Sequence, residues 1–162
     1  MHTFMQLQYK LKGNRRLSNQ WRVWGKRPKT LKEKERVCIE AILTQRTNWR
    51  NVELAMTNLQ EAGLDSLAAL ARIDGRSMGK LERIIRPSGF YPAKARYLVG
   101  LARFMQGKGG IQKVQEMPTA VLREELLALK GIGEETADDI LLYALEKPVF
   151  VIDEYTRRFA KR

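Results

Sequence analysis

Apolar residues recur at helical spacing along most of the chain: over residues 36–47 (Val37, Ile39, Ala41, Ile42, Leu43), 52–59, 66–73, 78–85, 93–105, 119–129, 135–145 and 154–160. Breakers separate these stretches, at Gly63, Gly75, Pro87 with Gly89, residues 107–110, Gly131 with Gly133, and Pro148. Period-two alternation is sustained nowhere and surfaces only briefly over 149–152. The pattern predicts an all-α chain of about eight short helices with no repeat at a fixed period. The first thirty or so residues, rich in Arg, Lys, Asn and Gln, are expected to be the least ordered.

Composition narrows the class. At 162 residues and 44% apolar content the chain can bury one core, as a single domain or as two small lobes sharing it. Cys38 is the only cysteine, so an internal disulfide is excluded, as is an iron–sulfur cluster or any metal site needing several thiolates. The longest apolar runs fall far short of the ~20 residues that span a bilayer. The opening residues carry Lys10, Lys12, Arg15 and Arg16 with no apolar h-region, so no signal peptide is expected. These features lead us to expect a soluble, cytoplasmic protein, monomeric and free of membrane.

Charge changes the picture more. The net charge is +12, and residues 1–50 hold 13 Lys/Arg against Glu33, Glu35 and Glu40. That end draws a polyanion through counterion release, and Trp21, Trp24 and Trp49 lie among the charges where they could stack on bases. Nucleic acid is the expected partner.

The most informative stretch is Leu129-Lys130-Gly131-Ile132-Gly133-Glu-Glu135-Thr136. One amphipathic helix runs into it and a second leaves at once. Two glycines flanking a buried aliphatic allow a tight turn whose amides, beside the positive end of the second helix, can grip a phosphate without reading a base. Lys130, Gly131, Ile132, Gly133 and Thr136 are the expected phosphate contacts. A monovalent cation at this hairpin is the one inorganic group foreseen; no metal cofactor is expected.

This hairpin, followed after Pro148 by Val-Phe-Val-Ile-Asp153-Glu-Tyr-Thr-Arg-Arg, resembles the helix-hairpin-helix DNA glycosylases of the endonuclease III superfamily. So do Ala41-Ile-Leu-Thr-Gln45-Arg-Thr-Asn-Trp49 and Arg86-Pro-Ser-Gly89-Phe90-Tyr91-Pro-Ala-Lys94-Ala, and the last two blocks look most like the alkylpurine (methyladenine) branch. The resemblance covers about residues 20–162 and implies a two-lobed fold. A six-helix lobe would span 33–147 and contain the hairpin at 123–145. A partial second lobe, made of 1–32 with 148–162, would carry the catalytic Asp. The partner implied is double-stranded DNA containing a damaged base, flipped into the cleft between the lobes. The resemblance further implies that Asp153 is the catalytic carboxylate, Gln45 fills the hole left by the flipped base, Phe90 and Tyr91 wedge the opposite strand, and Trp49 stacks on the base. Chemistry agrees with the first of these, because breaking an N-glycosidic bond builds positive charge on the sugar that a fixed carboxylate stabilises.

Departures matter equally. Bifunctional members place a Schiff-base lysine two residues after the second hairpin glycine, where this chain has Glu135, so a monofunctional glycosylase is expected. Glu40 stands where the adenine-mispair branch has its proton donor, which makes it a second candidate catalytic residue; an exposed, solvated Glu is the alternative. The pocket's Trp-Trp-Pro cluster is broken into Val23-Trp24-Gly-Lys-Arg-Pro28, leaving Trp24 as its lining residue. Family members continue beyond the catalytic-Asp helix, whereas this chain ends at Arg162, so an incomplete second lobe is expected. A non-catalytic DNA-binding module and an adenine-mispair glycosylase are the competing readings.

Overall fold

The computed structural model describes residues 19–152. Asp153 and the helix expected over 154–160 lie outside the described residues. The elements are α1 (Asn19–Trp24), α2 (Leu31–Leu43), α3 (Trp49–Glu61), α4 (Leu67–Ala71), α5 (Gly75–Ile84), α6 (Tyr91–Gly107), α7 (Ile111–Glu116), α8 (Thr119–Leu127) and α9 (Glu134–Asp139). A 3-10 turn (Arg86–Ser88) precedes α6, and α9 runs on into a π turn (Ile140–Ala144). The all-α expectation holds: no strand occurs among the described residues, and 149–152 adopt no regular structure.

Local chemistry sets the starts. Thr30 caps α2 in a reciprocal box with Glu33, each side chain accepting from the other residue's backbone N–H. Asn48, Ser66 and Asp74 cap α3, α4 and α5 by accepting from the amide three residues on. The Thr30 box starts α2 five residues before the expected 36. Order also reaches further toward the N-terminus than foreseen: residues 19–24 form α1 and bury Trp24 to 2% exposure. The short α7 lies in a stretch with too few residues for periodicity to register, yet it buries Ile111 and Val114.

One buried cluster runs from Trp24 to Leu145. Helix α6 is its axis and packs against α2, α4 and α5, turning Ala95, Leu98, Leu101, Ala102 and Met105 inward. Polar ties fasten the two ends of the described chain across this core. Arg27 Nη2 donates to the Leu142 carbonyl at 2.8 Å, and Glu146 accepts from the Lys29 amide at 3.1 Å and the Lys34 ammonium at 3.2 Å. Those ties bring α1 against the π turn, and the cleft forms there.

Candidate functional site

The hairpin is built as its glycines suggested. Ile132 is buried to 5% exposure between them, and its N–H donates to the Leu129 carbonyl at 3.1 Å. Gly131 has φ +87, a left-handed conformation, and its Cα rests on the Tyr97 ring of α6; an added Cβ would fall 2.3 Å from ring carbons. Gly133 and Lys130 are exposed, and nothing stands within 4 Å of a Cβ placed on Gly133. The two hairpin helices are clamped by a paired contact from Arg123 to Asp138, Nε to Oδ1 at 2.7 Å and Nη2 to Oδ2 at 3.0 Å. Thr136 is buried, its hydroxyl accepting from Gln45. A cation here would rest on main-chain carbonyls, of which those of Leu129 and Gly131 already accept hydrogen bonds. No group of three His, Cys, Asp or Glu side chains is placed to hold a metal among the described residues.

Two loops face the hairpin. In the turn after α2, Gln45 Nε2 donates to the Gly131 carbonyl at 2.9 Å and to Thr136 Oγ1 at 3.1 Å, so this side chain is tied to the hairpin. Arg46 follows with φ 52, exposed. In the second loop Phe90 has φ 47 and is 61% exposed at the head of α6, while Tyr91 is half-buried against the core. Of the two expected wedge residues, Phe90 is therefore the one presented. The roots of both loops meet at one side chain that periodicity and motif spacing do not mark out. Lys94 is buried to 1% exposure, and its ammonium donates to the carbonyls of Leu43, at 2.8 Å, and Ser88, at 2.6 Å. Burial lowers its pKa to about 8.

Between the hairpin, these loops and α1 lies a cleft of about 590 Å³. Its aromatic walls are Trp21, Trp24, Phe90, Tyr97 and Tyr143. Trp24 meets Tyr143 at 5.3 Å between ring centroids, and Trp21 stands edge-on to Tyr143 at 5.8 Å. The π turn that carries Tyr143 shifts the helix by one residue, as the Leu145 N–H reaches back five residues to the Ile140 carbonyl. Polar atoms come from Gln45, Arg46, Glu135, Thr136 and Asp139, and Val151, two residues before Asp153, closes one side. Tyr97, Tyr143, Arg46 and Asp139 carry no sequence signal that sets them apart as site residues, and Trp21 stands out only as one aromatic among the basic residues.

Two expected site residues sit behind the cleft wall. Trp49 packs edge-on against Trp24 at 6.3 Å, its indole N–H buried with no partner among the described residues. Glu40 is fully buried, contrary to the exposed alternative, and accepts from Trp24 Nε1 at 2.8 Å and Arg36 Nε at 2.7 Å. Burial raises its pKa against the opposing pull of Arg36 and Trp24. The carboxylate fixes Trp24 in the wall and does not itself line the cleft.

Comparisons with known proteins agree with this architecture. Residues 39–162 match the family model for HhH-GPD superfamily base excision DNA repair proteins. The chain is 42% identical over 129 residues to an inferred DNA repair glycosylase of Methanocaldococcus jannaschii and 32% identical over 137 residues to endonuclease III of Thermotoga maritima. These matches cover 78% and 83% of this chain but only 57% and 60% of the relatives, so the chain spans less than two thirds of their length. A crystal structure of the H. pylori 3-methyladenine DNA glycosylase MagIII bound to 1,N6-ethenoadenine superposes with a TM-score of 0.75 at 33% identity, covering 97% of this chain and 70% of that one. The chain belongs to the HhH-GPD superfamily of base excision DNA repair proteins, and its helix-hairpin-helix turns at residues 131–133.

Proposed function

We propose that this protein is a monofunctional DNA glycosylase that hydrolyses the N-glycosidic bond of a flipped, alkylated purine in double-stranded DNA. The aromatic cleft carries the reading. A flat base can stack on an aromatic ring of such a wall, and a purine made cationic by alkylation gains from the negative quadrupoles of the rings where an ordinary base gains less. The MagIII structure is of a methyladenine glycosylase holding a modified adenine, which supports the same substrate class.

In this reading Asp153 stabilises the positive charge that develops on the sugar. The Lys130 ammonium and the exposed Gly133 side of the hairpin meet a phosphate, with Gly131, Ile132 and Thr136 shaping the turn. Glu135 lines the cleft where lyases of the family hold an amine, and a carboxylate cannot form an imine with the sugar. Glu40 is engaged by Trp24, so the proton donor of adenine-mispair chemistry is not supplied to the cleft from that position.

Base release is measured on duplexes carrying methylated purines, ethenoadenine, or adenine opposite 8-oxoguanine. Release is expected from the alkylated duplexes alone, leaving an abasic strand that borohydride does not trap on the protein. Asp153→Asn should keep lesion binding while release falls by about 10²–10³-fold. Tight lesion binding without release would favour the non-catalytic module.

A further inference from the structure

Tyr97 stands where the hairpin and the cleft meet. One turn after Ala93 on α6, it shares with that residue the helix face that lines the cleft, while Ala95, Leu98 and Leu101 turn into the core. The hairpin pins its ring, since the Gly131 Cα rests on it and leaves no room for a methyl group. The ring is therefore a fixed spacer between the turn expected to hold a phosphate and the cleft expected to hold a base. Its hydroxyl is unspent: it makes no hydrogen bond among the described residues, and it is open to solvent. A DNA strand held at both places must cross this side chain. The flipped base stays joined to its strand, so sugar and phosphate run from the hairpin to the cleft over the residue that separates them.

We infer that the Tyr97 hydroxyl donates a hydrogen bond to a phosphate oxygen of the damaged strand, on the stretch between the flipped nucleotide and the hairpin. A phenol suits this place. Its O–H to a phosphate oxygen is a short, charge-assisted bond, and little freedom is lost in making it because the ring is already held. In an unflipped duplex the same stretch stays on the outside of the double helix; only rotation of the nucleotide draws it down toward the cleft. The contact therefore favours the flipped strand over the straight one. The inference rests on the DNA glycosylase reading and assigns a specificity-determining residue within it.

The test is binding by the full 162-residue chain to two duplexes of one sequence, undamaged or with a single tetrahydrofuran abasic analogue, which offers a backbone that flips easily and no base to contact. A further set of abasic duplexes carries one neutral methylphosphonate, placed at each neighbouring phosphate in turn. Wild type is expected to prefer the abasic duplex. Tyr97→Phe should weaken that duplex by about tenfold, the size of one hydrogen bond to a charged group, and leave the undamaged one nearly unchanged. It should melt with wild type, since the ring against Gly131 stays. On the duplex whose bonded phosphate is neutralised, variant and wild type should bind alike. A neutral hydroxyl displaces no counterions, so the salt slope should match wild type, whereas Lys130→Ala should lower it by about 1. The inference is overturned if Tyr97→Phe equals wild type on the abasic duplex or weakens both duplexes equally. It is overturned as well if the loss persists whichever phosphate is neutralised, or if the variant melts lower, its hydroxyl then being spent inside the protein. Wild type that binds duplex with no abasic preference overturns it too, leaving the glycosylase reading standing; wild type that binds neither duplex at low salt overturns both.

Discussion

The hairpin turn at Gly131 and the loop at Phe90 use the same region of backbone space for opposite ends. Gly131 turns left-handed because a tyrosine ring presses on its Cα, and no side chain fits there. Phe90 turns left-handed at φ 47, and a large aromatic is held out into solvent at 61% exposure. One turn is shaped by packing, and its conformation is relaxed for the residue it carries. The other holds a conformation that costs about 1–2 kcal/mol in an L residue, and its neighbours maintain that cost. The difference separates residues that build the site from residues that the site displays.

Substitutions can break this contrast. Gly131→Ala should have the largest effect, about 3–4 kcal/mol, because overpacking against Tyr97 adds to left-handed strain; chemical denaturation measures it. Lys94→Met removes the donor of two main-chain carbonyls and should cost about 3 kcal/mol. Its pH dependence is distinctive. The native ammonium titrates at about 8 against 10.5 for an ordinary lysine, so between these values the unfolded chain holds more protons than the native one. Stability from this group therefore rises as pH climbs through that window and is level below it. The gap between wild type and Lys94→Met, measured by melting at fixed pH values, should widen from pH 8 toward 10.5.

Asp138→Asn breaks the twofold contact with Arg123 that clamps the hairpin helices, and about 2 kcal/mol is expected because Asp138 is nearly buried. Phe90→Gly lies at the other extreme. Denaturation midpoints should move by no more than about 0.5 kcal/mol, since relieved strain offsets the looser unfolded chain, while abasic-duplex affinity falls. A large stability loss there would show that the loop is packed after all. Gly133→Ala sharpens the same contrast, with stability unchanged and DNA affinity lowered, its Cβ standing where a phosphate would approach.

Much of this is legible in residue order. Two glycines around an aliphatic, with a helix on either side, specify the hairpin and its buried Ile132. What escapes is polar and internal. Lys94 falls on the inward stripe of α6 with Leu98, Leu101 and Met105, and a cation on such a stripe can signal a buried donor, but its acceptors come from residues 43 and 88, which only the fold brings near. Glu40 sits among Val37, Ile39, Ala41 and Ile42, and its burial depends on Trp24, sixteen residues away. Trp24 is visible as a candidate, whereas Trp49 sits one layer back, edge-on to Trp24, a placement that only the fold decides. The π turn leaves no periodic trace, so Tyr143 reads as a core position until its register slips into the cleft. The start of α2 is encoded in Thr30 and Glu33, ahead of the point where the apolar period begins.

The aromatic wall also gives the protein a built-in optical reporter. The sequence has three tryptophans: Trp21 and Trp24 line the cleft, and Trp49 stands edge-on to Trp24. The core around α4 and α5 contains none, so intrinsic emission arises at the cleft, where one indole is bonded to a buried carboxylate and another is 41% exposed to solvent. A base entering between them would exclude water from Trp21 and place a stacked quencher beside Trp24. Occupancy of this site can then be followed in unlabelled protein, and Trp21→Phe and Trp24→Phe would divide the signal between the two walls.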